Sequence, residues 1–271
     1  MTAGGITLVG MSIPRAVDAA NKARLSPHAA FLVVVAVLLT LVSASTYGAH
    51  ETYEGVAAGN GIETFDMPTL DAVLALRRPW LTDVAVGLTY LAGRAGTPLL
   101  GVLALALFTW RRRDWAPTVL LVTGLLGSLT ITVVGKRISD RARPPRQFAL
   151  PPFETSPSFP SGHTLNATVL AVLVGYLVFI TVRPWLARWV AVGVCALDPV
   201  CVAASRVYLG QHWLTDVMAG LLIGTAWACA VILARRLWVQ MRRYRAHRGV
   251  PLESPAPPPG DAHHGGATAA S

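Results

Sequence analysis

Twenty consecutive residues, Ala29 to Gly48 (AAFLVVVAVLLTLVSASTYG), carry no charge. A helix of about 20 apolar residues crosses the roughly 30 Å hydrocarbon core of a bilayer, and inside lipid every backbone amide must be satisfied within the segment. Similar runs recur at 116–135, 164–182, 189–204 and 217–234. The first run starts too late and extends too far for an ordinary signal peptide. Between 81 and 110 the pattern is broken by Asp83 and Arg94. One helix extending beyond the bilayer fits there as well as an interfacial helix followed by a span. Composition agrees with this class, with 53% hydrophobic and 14% charged residues, against about 25% charged in soluble domains.

The expected fold is therefore all-α, a polytopic six-helix transmembrane bundle. The stretch TLDAVLALRRPW (69–80) reads as an amphipathic interfacial helix between the first two spans. The membrane domain is expected over 29–235, after a cytoplasmic segment at 1–28. Residues 236–271 form a basic, then Pro/Gly/Ala-rich tail whose composition predicts disorder, and His263 and His264 read as part of that composition. Cys195, Cys201 and Cys229 all lie in apolar runs without metal-ligand spacing and read as small hydrophobes.

The net charge of +9 is concentrated at the ends of spans. Arg111, Arg112 and Arg113 close one span, and six arginines (Arg235, Arg236, Arg242, Arg243, Arg245, Arg248) follow the last. Such clusters set topology and touch anionic lipid headgroups. No aromatic-interleaved basic surface or known module accompanies them, which excludes nucleic acid as partner. With the N-terminus inside, 14 of the 23 basic residues are cytoplasmic and eight lie opposite, which predicts both termini in the cytoplasm. Six of those eight fall in 136–146 and 205–216. A basic cluster on the outer face needs a reason other than topology.

Three polar stretches lie on that face, each at the end of a span: KRISDRARPP (136–145), FPSGHT (159–164) and SRVYLGQHWLTD (205–216). Pooled, they supply Lys136, Arg143, Arg206, Ser161, Gly162, His163, His212 and Asp216. Converging cations suit an anion with several acceptor oxygens, and guanidinium forks match phosphate. The SGH sequence opens the fourth span, so its backbone amides and helix dipole point to the same place. Two histidines offer a nucleophile and a proton donor. Asp216 follows His212 by four residues, so its carboxylate can hold one ring nitrogen and free the other. No carboxylate cluster suggests a metal, which leaves charge stabilisation to the cations. Gly210 falls between two spans, where a turn is needed. Arg137, Arg141 and Arg146 read as headgroup contacts. Asp198, inside the fifth span, reads as a structural carboxylate bonded to a neighbouring helix.

These stretches contain K-x6-R-P (Lys136, Arg143, Pro144), P-S-G-H (Pro160 to His163) and S-R-x5-H-x3-D (Ser205, Arg206, His212, Asp216). In this the chain resembles the type 2 phosphatidic acid phosphatase family of integral-membrane lipid phosphatases. The resemblance implies that His212 attacks phosphorus to form a phosphohistidine and that Asp216 orients it. It implies that His163 protonates the leaving oxygen and later activates water. Lys136, Arg143, Arg206, Ser161 and the Gly162 amide would hold the phosphate, with no metal or other cofactor. The expected substrate is a membrane lipid phosphate or diphosphate, such as phosphatidic acid, phosphatidylglycerophosphate or a polyprenyl diphosphate. The expected setting is a bacterial plasma membrane, with the site facing outward. Three other readings compete: a non-catalytic lipid-phosphate binder or transporter, a phosphotransferase with an acceptor other than water, and a vanadate-dependent haloperoxidase. Six spans argue against the last.

Overall fold

The structure, a computed structural model, describes residues 26–248. The expected N-terminal segment up to residue 25 and the tail from 249, with His263 and His264, lie outside the described residues. The chain divides into two compact units, Met1–Arg235 and Arg236–Ser271. The bundle and the site belong to the first, and the described part of the second is helical.

Eight α-helices are described: α1 (Pro27–Ala58), α2 (Asp66–Ala75), α3 (Pro79–Leu91), α4 (Gly96–Arg112), α5 (Ala116–Ser139), α6 (Gly162–Thr181), α7 (Trp185–Tyr208) and α8 (Leu214–Arg248). Short 3-10 turns stand at Gly61–Phe65 and Arg146–Phe148. Helices α1, α5, α6, α7 and α8 are each long and apolar enough to cross a membrane. Helices α3 and α4 pass the same test only together, bent by 59° at a short break, and make a sixth span if counted as one. The break rules out the single extended helix for 81–110 and falls where the other sequence alternative separates a short helix from a span.

Local sequence sets the helix starts. Proline stands in the first turn of α1, α3 and α5, where its missing N–H costs nothing. The Ser26 hydroxyl accepts the Ala29 amide at 3.1 Å to cap α1. The helices outrun the apolar runs that mark them: α1 continues to Ala58, α5 to Ser139 and α7 to Tyr208. Backbone hydrogen bonding persists where polar residues leave the hydrocarbon, so hydropathy locates the embedded part rather than the helix.

The core is built around α6. Leu165, Val169, Leu173 and Leu177, a stripe at four-residue spacing, are at most 2% exposed and pack with Leu120, Leu121 and Ala228. The outer faces of α1, α4, α5 and α7 carry exposed leucines and valines, as a lipid-facing surface requires. Trp110, Trp115 and Trp185, all above 70% exposed, stand at the ends of α4, α5 and α7, where tryptophan favours a membrane–water interface. The opposite ends of α5 and α7 and the starts of α6 and α8 carry the motif residues.

Asp198 corrects an expectation. It is exposed on α7 and makes no hydrogen bond or ion pair among the described residues. Its neighbour Pro199 is buried. A step of about 100° per residue turns Asp198 onto the outer face instead.

Candidate active site

His212 and Asp216 stand at the start of α8, 1% and 0% exposed. The ring precedes the helix, so the four-residue spacing works across the helix start rather than along one turn. Asp216 Oδ2 accepts the amide of Trp213, the residue before α8, at 2.9 Å. This is the back-reaching half of a capping box. The same oxygen lies 3.2 Å from His212 Nδ1 and accepts a hydrogen bond from the Ser158 hydroxyl. On the far side of the ring, Nε2 is 3.3 Å from Arg143 Nη1. A guanidinium only donates, so Nε2 is the unprotonated nitrogen and Nδ1 carries the hydrogen held by Asp216. Burial, with Arg143, Arg206 and Lys136 nearby, holds the His212 imidazole well below its ordinary range. The ring is neutral at physiological pH with a lone pair on Nε2.

Three cations surround it. Arg143 is held by carbonyls, with Nε donating to Ser156 O at 2.7 Å and Nη1 to Gln211 O at 2.6 Å. Burial lowers its pKa, yet a guanidinium stays charged. Lys136, in the last turn of α5, donates to Pro157 O. Arg206, in the last turn of α7, is fully buried. Its Nη1 reaches Thr89 Oγ1 at 3.4 Å, whereas Nε and Nη2 have no hydrogen-bond acceptor.

His163 follows Gly162 in the first turn of α6. The amides of that turn have no acceptor within their own helix. Ser161 occupies the cap position, but its hydroxyl bonds Thr164 Oγ1 at 3.0 Å and no amide. The Ser161 amide donates to the carbonyl of Asp216 at 3.1 Å, which ties the starts of α6 and α8 together. Glu154, in the loop between α5 and α6, joins the group: Oε1 lies 3.8 Å from His163 Nε2 and 3.9 Å from Arg206 Nη2. All eight residues pooled from the sequence thus lie at one end of the bundle.

Close backbone approaches keep this end in place. Gly210 has φ +65°, and a Cβ there would stand 2.4 Å from Phe148 O. Leu150 N–H donates to Leu209 O at 2.8 Å, and the Gln211 side chain to Leu150 O at 2.6 Å. At the α3–α4 break, a Cβ on Gly96 would stand 2.2 Å from Leu91 O. Only glycine permits the bend that brings Thr89 and Gly93 against Arg206 and His163.

Arg141 is not the headgroup contact expected. Its side chain is 12% exposed and donates to Asp216 Oδ1 and Asp66 Oδ2, both at 2.7 Å. The reason is geometric: Asp140, in the left-handed region, ends α5 and turns the chain inward. Arg137 is exposed, and Arg146 stacks on Phe153 at 5.1 Å. Glu154, Ser158, Thr89, Arg141 and Asp66 were all missed by sequence reasoning. Glu154 left a signal, as the one acidic residue in the basic stretch 141–160, and Arg141 one that was read as a lipid contact.

The PAP2 superfamily matches residues 117–240 of the chain, the region of helices α5 to α8 and all three motifs. Phosphatidylglycerophosphatase B of Bacillus subtilis is 33% identical over 171 residues, which cover 61% of this chain and 80% of that protein. The chain belongs to the PAP2 superfamily. Undecaprenyl-diphosphatase of Sulfolobus acidocaldarius is 29% identical over 143 residues, 51% of this chain and 65% of that relative. Among solved structures, the transmembrane PAP2-type phosphatidylglycerolphosphate phosphatase of Bacillus subtilis aligns with a TM-score of 0.59 at 27% identity, covering 79% of this chain and 98% of that one. As a PAP2 protein, the chain is an integral-membrane phosphatase. The enzyme class sets aside the non-catalytic and haloperoxidase readings.

Proposed function

We propose that this PAP2 phosphatase hydrolyses a lipid phosphate or diphosphate through a phosphohistidine on His212. One observation carries the reading: Arg206 is fully buried, yet its Nε and Nη2 have no acceptor. A buried charge with idle donors is costly, and a phosphoryl group beside His212 supplies the oxygens they lack. Arg206, Arg143, Lys136 and the first amides of α6 hold the three non-bridging oxygens and stabilise their charge in the transition state, without a metal.

In the first step His212 Nε2 attacks phosphorus and the P–O bond to the leaving group breaks. Asp216 holds the Nδ1 hydrogen and offsets the charge that develops on the ring. His163 gives its proton to the leaving oxygen. In the second step His163 takes a proton from water, the oxygen attacks phosphorus, and the P–N bond breaks to release phosphate. Phosphatidylglycerophosphatase B and undecaprenyl-diphosphatase, the two relatives described above, carry a glycerophospholipid phosphate and a polyprenyl diphosphate in their names. Both leave their tails in the bilayer while the phosphate reaches the helix ends.

The site faces outward and both termini are cytoplasmic, a reading supported by the positive-inside count of the sequence, 14 of the 23 basic residues. Helix α2 lies along the outer interface, with Asp66 and Leu70 turned into the protein. The test is phosphate release from phosphatidic acid, phosphatidylglycerophosphate and undecaprenyl diphosphate by the detergent-purified protein. His212→Ala is expected to fall at least ~10³-fold and to lose the acid-labile phosphoenzyme that the parent forms. Equal rates in variant and parent would falsify the nucleophile assignment.

A further inference from the structure

His212 is oriented by Asp216, and Asp216 is itself held from two sides. Its Oδ2 takes His212, Ser158 and the Trp213 amide, all within the site. Its Oδ1 takes the Arg141 guanidinium at 2.7 Å. Arg141 is fixed in turn: Nη2 donates to Asp66 Oδ2 at 2.7 Å, and the guanidinium lies 5.7 Å over the Trp213 ring. Asp66, 3% exposed, opens α2. Its Oδ1 accepts the Thr215 amide at 2.9 Å and its Oδ2 the Thr215 hydroxyl at 2.7 Å. One distant carboxylate therefore caps the first turn of α8 and anchors the guanidinium that grips Asp216. Thr215 closes the ring by accepting Arg141 Nη1 at 2.7 Å.

We infer that Arg141 and Asp66 are positioning residues, a buried relay that fixes the orientation and charge of the His212–Asp216 pair from the segment between the first two spans. The inference rests on the reading of His212 as nucleophile. A planar fork bridges two carboxylates on different elements with a fixed geometry that a flexible ammonium does not hold. Without the fork, Oδ1 loses its partner and Asp216 is held through Oδ2 alone, so the Nδ1 hydrogen bond that sets the His212 tautomer loosens. Asp66 also stands between charges: it offsets Arg141, so that the clamp does not cancel the negative field of Asp216 at the ring.

The sign of the effect on His212 follows from the charges around it. Arg141 and Arg143 face the pair from the loop after α5, Lys136 from α5, His163 from α6 and Arg206 from α7. Glu154 faces it from the loop before α6, and Glu63 and Asp66 from the segment after α1. Removing Arg141 deletes a positive charge and lets the ring take a proton more easily. Neutralising Asp66 deletes a negative charge and makes protonation harder. The acid limb of the rate profile, where His212 loses its nucleophilic lone pair, therefore moves up in Arg141→Gln and down in Asp66→Asn.

The experiment uses the full-length protein in detergent and follows phosphate release from phosphatidic acid and undecaprenyl diphosphate against pH. Parent, Arg141→Gln, Arg141→Lys, Asp66→Asn and His212→Ala are compared. Asn at 66 keeps an acceptor for the Thr215 amide, so α8 stays capped. Arg141→Gln is expected to lose about 10²-fold in kcat and Asp66→Asn about tenfold, as supporting residues around a site typically do, with KM within about threefold. Their acid limbs shift by roughly half a unit to one unit in opposite directions. Arg141→Lys keeps the charge and therefore the limb, but loses kcat with the fork. Should Arg141→Gln not purify as a monodisperse protein, Asp66→Asn and Arg141→Lys decide alone. Parental kcat and profile in these variants, or limbs moving the same way, would overturn the relay while an inactive His212→Ala left the nucleophile standing. Full activity in His212→Ala, or no turnover by the parent, would strike the underlying function instead.

Discussion

Arg206 cannot shed its charge by losing a proton, because the guanidinium stays ionised even when desolvated. A fold that buries it without satisfying Nε and Nη2 commits that position to an anion. Arg206→Lys keeps the charge but gives up the fork, and kcat/KM is expected to fall about 10²-fold, or ~3 kcal/mol of transition-state binding. Steady-state kinetics with the preferred lipid check this. His212 makes a second prediction through stability. Its folded pKa lies well below the ordinary 6.5, so at pH below about 6.5 the unfolded chain binds a proton that the folded chain refuses. Stability is fully present above that value and is lost as pH falls through the window beneath it. Thermal unfolding in detergent should drop between pH 7 and pH 5, and the drop should be smaller in His212→Asn.

At the scale of elements, the site is a meeting of helix ends, and the short connections decide its precision. Gly59 and Gly210 offer a matched comparison, since both have φ +65°. A Cβ on Gly59 meets nothing within 4 Å, whereas one on Gly210 meets Phe148 O at 2.4 Å. Gly59→Ala should cost only the torsional penalty, about 1–2 kcal/mol. Gly210→Ala should lower the melting temperature at least twice as far. It should also reduce turnover, because His212 lies two residues on. The break between α3 and α4 works the same way, with Gly96 permitting a bend that delivers Thr89 to Arg206 at 3.4 Å.

At the scale of the whole molecule, the sequence made the spans and the motif residues legible for one physical reason. Each signal was local: an uncharged run of one helix length, or charges at fixed spacing beside a span end. Lys136, His163, Arg206 and Asp216 could be pooled because polar groups at the ends of apolar helices have few places to go. Ser158, Thr89 and Asp66 could not, since their partners lie 58, 117 and 149 residues away and no pattern of short period links them. Arg141 was visible but misread, because a basic side chain near a membrane surface looks the same whether it faces lipid or a buried carboxylate. Orientation is tested at this scale too. In a background without native cysteines, a cysteine at the exposed position Gln147 should react with an impermeant thiol reagent on intact cells. One at Arg113 should stay unlabelled until the membrane is opened.

The clamp on α8 has a consequence for modularity. The family match begins at residue 117, yet Asp66, Arg77 and Thr89 each bond residues that carry or border the motifs. A chain cut at the family boundary would keep every signature and lose the parts that hold them in register. The heritable unit of this phosphatase is thus larger than its recognisable one. Transplanting the motifs onto another bundle would transfer the chemistry only if the first span's trailing segment travelled with them.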